Sequence, residues 1–180
     1  GVSANALTAS SLLFGAAAGL AVAFGRFGMA TLFGLLAALV DTLDGQVARA
    51  TGTTSTAGKL FDATADRYVE AALFVGIVFY VRASAPLLLL TLAALIASFL
   101  VSYVSAKIEA YPNVSVPRGA MRRGERLVLL TLGTGLVPAV ARLFPSTASL
   151  VPLIVALAII AVAGNFSAVR RLLHLARSAP

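Results

Sequence analysis

The sequence predicts an all-α integral membrane protein with six transmembrane helices and both termini in the cytoplasm. Three features support this prediction: the composition, the spacing of the apolar runs and the placement of the basic residues. Of the 180 residues, 59% are hydrophobic and only 12% are charged, whereas soluble domains are about half apolar and about a quarter charged. This composition excludes an ordinary water-soluble enzyme.

Six apolar runs are long enough to cross a bilayer, which takes about 20 residues per helix. They are bounded by Gly, Pro and Arg and lie at roughly 6–24, 28–49, 58–81, 86–110, 123–143 and 148–172. No internal repeat divides the chain. We therefore expect a single transmembrane domain over residues 1–180.

The basic residues are distributed unevenly between the two sides of this arrangement. Three of the fourteen, Arg26, Arg82 and Arg142, lie in the first, third and fifth connections, and the other eleven lie elsewhere. By the positive-inside rule, the three mark the outer side and both termini are cytoplasmic. A net charge of +7 can attract nucleic acid or anionic lipid. Because the basic residues lie between apolar spans, we expect the lipid bilayer and no nucleic acid as a partner.

Five of the seven acidic residues fall between Asp41 and Glu70, at the predicted cytoplasmic ends of the second and third spans. Asp41 and Asp44 are three positions apart and share a helix face, as do Asp62 and Asp66, which are four apart. A short link joins the two helices, so we expect them to be antiparallel neighbours. The four carboxylates would then meet in one place.

Carboxylates at membrane depth are costly, at least about 2.5 to 3.5 kcal/mol each at the bilayer centre, and their mutual repulsion adds to this. A cluster of Asp without Cys or His suits hard cations such as Mg²⁺, Mn²⁺ or Ca²⁺. Two divalent ions would balance four carboxylates, and two metals beside a phosphate recur in phosphoryl transfer. Gly45 and Gly58, on the same two faces, either admit a bulky anionic ligand or serve only helix packing.

In order, the residues read Asp41-x2-Asp44-Gly45-x2-Ala48-Arg49-x8-Gly58-x3-Asp62-x3-Asp66. This run resembles the complete signature of the CDP-alcohol phosphotransferase family. The opening segment, Ala4 to Thr8, is also similar to the family's first span, although Ala4 stands where a Pro is usual. The family's usual amphipathic segment does not precede it, which predicts either a trimmed chain or a different anchoring.

The resemblance implies an enzyme that transfers a phosphatidyl group from CDP-diacylglycerol to an alcohol and releases CMP. It implies that two divalent cations, Mg²⁺ or Mn²⁺, are held by the four aspartates, and that Asp66 is also the general base. It also implies a homodimer and an active site at the cytoplasmic face. The residues implied to contact the CDP-lipid are Ala4, Asn5, Ala6, Leu7, Gly45, Ala48, Arg49, Ser55 and Gly58.

The acceptor alcohol is indicated by basic residues outside the signature. Basic side chains around the cytoplasmic ends of helices four to six suit an acceptor that already bears a phosphate, although each alone could anchor lipid headgroups. The segments 102–110 and 122–127 resemble the acceptor region of phosphatidylinositol-phosphate synthases. That resemblance implies that the acceptor is inositol phosphate, bound by Lys107, Arg126 and one of Arg170 and Arg171.

Two alternatives remain open at this level. A phosphatidylglycerophosphate synthase would use the same signature with glycerol 3-phosphate as its acceptor. A cation transporter would explain intramembrane acids, but it gives no reason for Gly45, Arg49 and Gly58 or for a cluster at one end of the helices.

Overall fold

The computed structural model describes the backbone at residues 4–50, 52, 55–111, 119–144 and 147–178, and the side chains there except at 4, 5, 48–50, 147, 148 and 178. These residues form α-helices and one 3₁₀ turn, Thr147–Leu150, without a strand. The helices are α1 (Ala4–Ala23), α2 (Phe27–Ala50), α3 (Thr56–Val81), α4 (Ala85–Glu109), α5 (Arg123–Leu143) and α6 (Val151–Ser178). The prediction of an all-α fold with six helices is confirmed. The largest deviation is α6, which starts after the 3₁₀ turn and continues six residues past the predicted end.

Five of the helices are long and apolar enough to cross a membrane: α1, α2, α4, α5 and α6. Helix α3 has 26 residues, but Lys59, Asp62, Asp66, Arg67 and Glu70 place five charges in its first fifteen. Its last eleven residues carry no charge. The five spans and the outward-facing apolar side chains, such as Leu13 and Val162, each 73% exposed, agree with an integral membrane protein.

Hydroxyl side chains inside these helices donate back to their own helix. Thr31, Thr42, Thr64, Thr91 and Thr134 each donate to the carbonyl four residues earlier, at 2.7 to 2.9 Å. Lipid offers no hydrogen-bond partner, so this bond lets a polar residue lie within an apolar helix.

The described chain divides into two compact units, residues 1–81 and 82–180. In unit 1, α1 packs against both α2 and α3, while α2 and α3 make few contacts with each other. A Cβ added at Gly19 would lie 2.2 Å from the carbonyl oxygen of Ala72, and one at Gly76 would lie 2.1 Å from that of Gly19. The absence of side chains at these two glycines thus lets α1 approach α3 closely. The short link between α2 and α3 predicted that they would be antiparallel neighbours, but these two helices are not packed against each other along their length.

In unit 2, α6 packs against both α4 and α5. Gly133 of α5 faces Ala156 of α6, and Gly164 of α6 faces Ala97 of α4. A Cβ added at either glycine would lie less than 3 Å from the Cβ of the facing alanine. The turn before α5 has Met121 in the left-handed region at φ 68°. Glu125 accepts a hydrogen bond from the Met121 N–H at 2.6 Å, which fixes this turn to the first turn of α5. The single domain over residues 1–180 stays a prediction.

Candidate active site

Unit 1 brings three of the four signature aspartates together. One carboxylate oxygen from each of Asp41, Asp62 and Asp66 lies within 4.8 Å of the other two. Asp41 comes from α2, and the other two come from successive turns of α3. The predicted convergence of the two acidic faces therefore occurs at this point although the helices are not packed along their length.

Asp44 is held differently from the other three. It is 5% exposed, and its Oδ2 accepts a hydrogen bond of 2.7 Å from the hydroxyl of Thr8 on α1. Asp44 does not belong to the group whose oxygens lie within 4.8 Å. A hydroxyl donor fixes the orientation of this carboxylate and compensates part of the cost of burying it.

Arg67 lies beside the end of the cluster. Its guanidinium is 4.0 Å from Oδ2 of Asp66 and 3.8 Å from Oε2 of Glu70. Glu70 is fully buried, and a buried carboxylate requires such a partner.

The oxygen donors of the cluster fit a divalent cation. Three adjacent carboxylates repel one another, and a hard cation such as Mg²⁺ or Mn²⁺ both removes the repulsion and accepts oxygen ligands. Arg67 is shared between Asp66 and Glu70.

The start of α3 and the residue before it contain two of the residues expected to contact the nucleotide. The hydroxyl of Ser55 accepts a hydrogen bond of 3.0 Å from the N–H of Gly58, so Ser55 is the N-cap of the helix. Gly45 is partly buried on α2 and Ala6 is exposed on α1, with Leu7 partly buried beside it. The side chains of the other expected residues, Ala4, Asn5, Ala48 and Arg49, lie outside the described residues.

Unit 2 buries two of the four predicted acceptor-binding residues. Arg126 is 1% exposed and Arg171 is 5% exposed. Arg126 donates to the Met121 carbonyl at 2.7 Å and to the Ser102 hydroxyl at 3.0 Å. Arg171 donates to the Ser105 hydroxyl and to the Ala120 carbonyl, the latter at 3.4 Å. The carbonyls of two consecutive residues, Ala120 and Met121, thus each accept a hydrogen bond from one of the two guanidiniums.

The other two predicted residues are on the surface of the unit. Lys107 is exposed, with its Nζ 5.6 Å from the centre of the Tyr103 ring, and Arg170 is exposed. Of the adjacent pair Arg170 and Arg171, the structure places Arg171 inside.

Sequence reasoning missed several contacts of these sites. Thr8, Ser102, Ser105 and the turn at Ala120 and Met121 contact predicted site residues from a distance in sequence. The family resemblance covers the segments that contain Thr8, Ser102 and Ser105, and the signal that could have singled out these three is a polar residue on an otherwise apolar span.

Comparison with known proteins agrees with this geometry. The profile of the CDP-alcohol phosphatidyltransferase family matches residues 2–169. The phosphatidylinositol phosphate synthase of Mycobacteroides abscessus is 36% identical over 129 residues, which are 67% of this chain and 58% of that protein.

Crystal structures of Mycobacterium tuberculosis phosphatidylinositol phosphate synthase are also similar. The structure with CDP-DAG bound superimposes with a TM-score of 0.84 at 27% identity, covering 97% of this chain and 87% of that one. The structure in complex with manganese and citrate gives a TM-score of 0.85 at 27% identity, covering 99% and 84%.

This chain therefore belongs to the CDP-alcohol phosphatidyltransferase family. Within the family, these relatives are phosphatidylinositol phosphate synthases. The matched segments span about half the length of the curated relatives, 58% in the M. abscessus protein and 46% in those of Mycobacterium bovis and M. tuberculosis.

Proposed function

We propose that this chain transfers the phosphatidyl group of CDP-diacylglycerol to inositol phosphate and releases CMP. The observation that best supports the proposal is the cluster formed by Asp41, Asp62 and Asp66, three aspartates of the family signature. One carboxylate oxygen from each lies within 4.8 Å of the other two. The identity of the similar proteins favours inositol phosphate over glycerol 3-phosphate.

Asp66 is proposed as the general base of the reaction. Its carboxylate takes the proton from the acceptor hydroxyl while the hydroxyl oxygen bonds to the phosphorus attached to diacylglycerol. The bond from that phosphorus to the oxygen of the CMP phosphate breaks, and CMP leaves with the electron pair. Arg67 limits the movement of Asp66, since its guanidinium lies between Asp66 and Glu70.

Asp41, Asp44, Asp62 and Asp66 would hold two divalent cations. When bound, these supply positive charge that stabilises the pyrophosphate oxygens and the leaving phosphate. The Thr8 hydroxyl presents Asp44 in one orientation, and α2 and α3 present the other three.

The nucleotide and its pyrophosphate are proposed to lie beside the start of α3. The N-terminus of a helix favours phosphate oxygens, and Gly58 in the first turn of α3 adds no bulk. Ser55, which caps this turn, fixes its backbone. The remaining contacts are proposed from the family signature: Ala4, Asn5, Ala6, Leu7, Gly45, Ala48 and Arg49.

Arg126 and Arg171 are proposed to bind the phosphate of the acceptor. Both are buried, and the hydrogen bonds named above join them to hydroxyls and carbonyls that do not neutralise their charge. Guanidinium groups bind phosphate oxygens strongly when both are removed from water. Lys107 and Arg170, which are exposed, are proposed to attract the acceptor before it binds.

The decisive assay is the release of CMP from CDP-diacylglycerol by the purified protein in detergent, with Mn²⁺ or Mg²⁺ and a panel of acceptors. We expect release with inositol phosphate and none after chelation of the metal. Release with glycerol 3-phosphate alone would instead indicate a phosphatidylglycerophosphate synthase. Absence of release with every acceptor, together with metal-dependent ion flux in proteoliposomes, would indicate the transporter alternative.

We further propose that α3 is the sixth span, with both termini and the active site at the cytoplasmic face. A helix of 26 residues is about 39 Å long at 1.5 Å per residue, so it can cross while its charged first half lies near the interface. The chain has no cysteine, which permits labelling of single introduced cysteines without background. Gly52→Cys and Ser84→Cys should react with an impermeant maleimide from opposite sides, and reaction from one side would contradict the sixth span.

The homodimer likewise stays a proposal taken from the family. Crosslinking in membranes at low expression levels should give a species of twice the chain mass, and a monomer alone would contradict it.

A further inference from the structure

Arg171 is buried in unit 2, and its hydrogen-bond partners are neutral groups. Its Nη1 donates to the carbonyl of Val101 at 3.5 Å and to the hydroxyl of Ser105, and its Nη2 donates to the carbonyl of Ala120 at 3.4 Å. Its Nε is buried and has no hydrogen-bond partner within the described protein. A buried donor without a partner is costly unless a ligand completes it, so this guanidinium is held at one end and incomplete at Nε.

Ser105 occupies a particular position in this arrangement. Its hydroxyl donates to the carbonyl of Val101, one turn earlier on α4, at 2.6 Å. Because the only proton of the hydroxyl is used in this way, its oxygen is available to Arg171 as an acceptor. Helix α4 thereby fixes both the place and the direction of the contact.

The second buried guanidinium shows the same pattern. Ser102 donates to the carbonyl of Ser98 at 3.0 Å and accepts from Arg126 at 3.0 Å, and Arg126 also donates to the Met121 carbonyl. Each arginine is therefore fixed by one α4 hydroxyl and one carbonyl of the turn before α5. Two independent instances of one arrangement indicate that α4 orients the guanidiniums rather than merely packing against them.

We propose that Ser105 is a positioning residue that orients Arg171 for a phosphorylated acceptor. It touches neither the acceptor nor the donor lipid: it holds Nη1 so that the Nε side of the guanidinium faces the ligand. This inference rests on the proposed function, in which Arg171 binds the acceptor phosphate. It predicts that losing the Ser105 hydroxyl weakens binding of the acceptor while leaving the donor and the chemical step largely unchanged.

The test measures CMP release by Ser105→Ala as a function of each substrate. We expect the KM for inositol phosphate to rise about three- to tenfold, which is within the usual net value of one intramolecular hydrogen bond. The kcat and the KM for CDP-diacylglycerol should change less than about twofold, a margin well below that effect. Ser105→Thr, which keeps a hydroxyl able to bond to the preceding turn, should restore the acceptor KM.

Ser98→Ala is the matched control. Ser98 lies two turns before Ser105 on α4, is fully buried, and its hydroxyl has no hydrogen-bond partner among the described residues. It should leave all three kinetic constants at the wild-type values. A rise in acceptor KM equal to that of Ser105→Ala would assign the effect to packing of α4 and overturn the proposal.

The remaining outcomes separate this inference from the proposed function. An active wild type whose acceptor KM rises in Arg171→Ala but not in Ser105→Ala would overturn the positioning role alone. A failure of Ser105→Thr to restore the acceptor KM would also overturn it. A wild type that releases no CMP with inositol phosphate, or with any other phosphorylated acceptor, would overturn the proposed function itself.

Discussion

The two units have the same helix arrangement but opposite polar interiors. In unit 1, α1 packs against α2 and α3, and three carboxylates lie within 4.8 Å of one another. In unit 2, α6 packs against α4 and α5, and two guanidiniums are buried against hydroxyls and carbonyls. Repelling carboxylates favour a cation, whereas a guanidinium with neutral partners keeps its charge for an anion.

The comparison also shows two ways of orienting a charged side chain in an apolar protein. Unit 1 uses one hydroxyl on a different helix, Thr8, for Asp44, and an arginine on the same helix for Glu70. Unit 2 uses serines whose protons are already donated to their own helix. In unit 1 the oriented group is a carboxylate, which accepts hydrogen bonds, and in unit 2 it is a guanidinium, which donates them.

The largest effect is expected from Asp66 in unit 1. Asp66→Asn removes the proposed base and a metal ligand, and should reduce kcat by at least about 10³-fold, within the 10²–10⁴ range for acid–base catalysis. CMP release measured under saturating substrates tests this. Glu109→Gln, an exposed carboxyl at the end of α4, is the control and should retain full activity; an active Asp66→Asn would contradict the division of roles between the units.

A packing change in unit 1 should destabilise without a specific kinetic effect. Gly76→Ala places a Cβ about 2.1 Å from the Gly19 carbonyl oxygen and should lower the free energy of unfolding by about 1–3 kcal/mol. Gly34→Ala has nothing within 4 Å and should leave stability equal or slightly higher. Thermal unfolding in detergent measures both, and equal midpoints would show that α1 and α3 do not pack this closely.

In unit 2, Arg171→Lys tests whether geometry matters beyond charge. Lys keeps the charge but loses the planar fork of donors, so the KM for inositol phosphate should rise about tenfold, equivalent to about 1.4 kcal/mol. The KM for CDP-diacylglycerol should stay constant. Arg142→Lys, at an exposed site at the end of α5, should change neither, and an equal rise for both substrates in Arg171→Lys would show that this arginine serves stability.

The smallest effect is expected from Thr8. Thr8→Ala removes one hydrogen bond to Asp44 and should raise the Mn²⁺ concentration for half-maximal activity about fivefold, within the usual net value of such a bond. Thr8→Ser should restore it. Thr64→Ala removes an exposed hydroxyl that bonds only to its own helix and should have no effect; a similar shift there would remove the special role of Thr8.

Most of the fold could be predicted from the sequence because the signals are local. Apolar runs and their Gly, Pro and Arg boundaries determine where helices begin and end, and the observed bounds agree within a few residues for α1 to α5. The spacing of Asp41, Asp62 and Asp66 similarly predicts their common site, since helical periodicity sets which side chains share a face. Helix neighbours could not be predicted in this way, because the close approach of α1 to α3 at Gly15, Gly19 and Gly76 joins segments that are distant in sequence.

By itself, the sequence determined an all-helical membrane protein of this family with an acidic, metal-binding motif and a basic second half. Only the tertiary structure decided that Thr8 bonds to Asp44, that Arg67 pairs with Glu70, and that Arg171 rather than Arg170 is buried. Neighbouring helical residues point about 100° apart, as 3.6 residues per turn require. Which of them faces the interior depends on where the next helix lies, and contacts between distant segments establish that position.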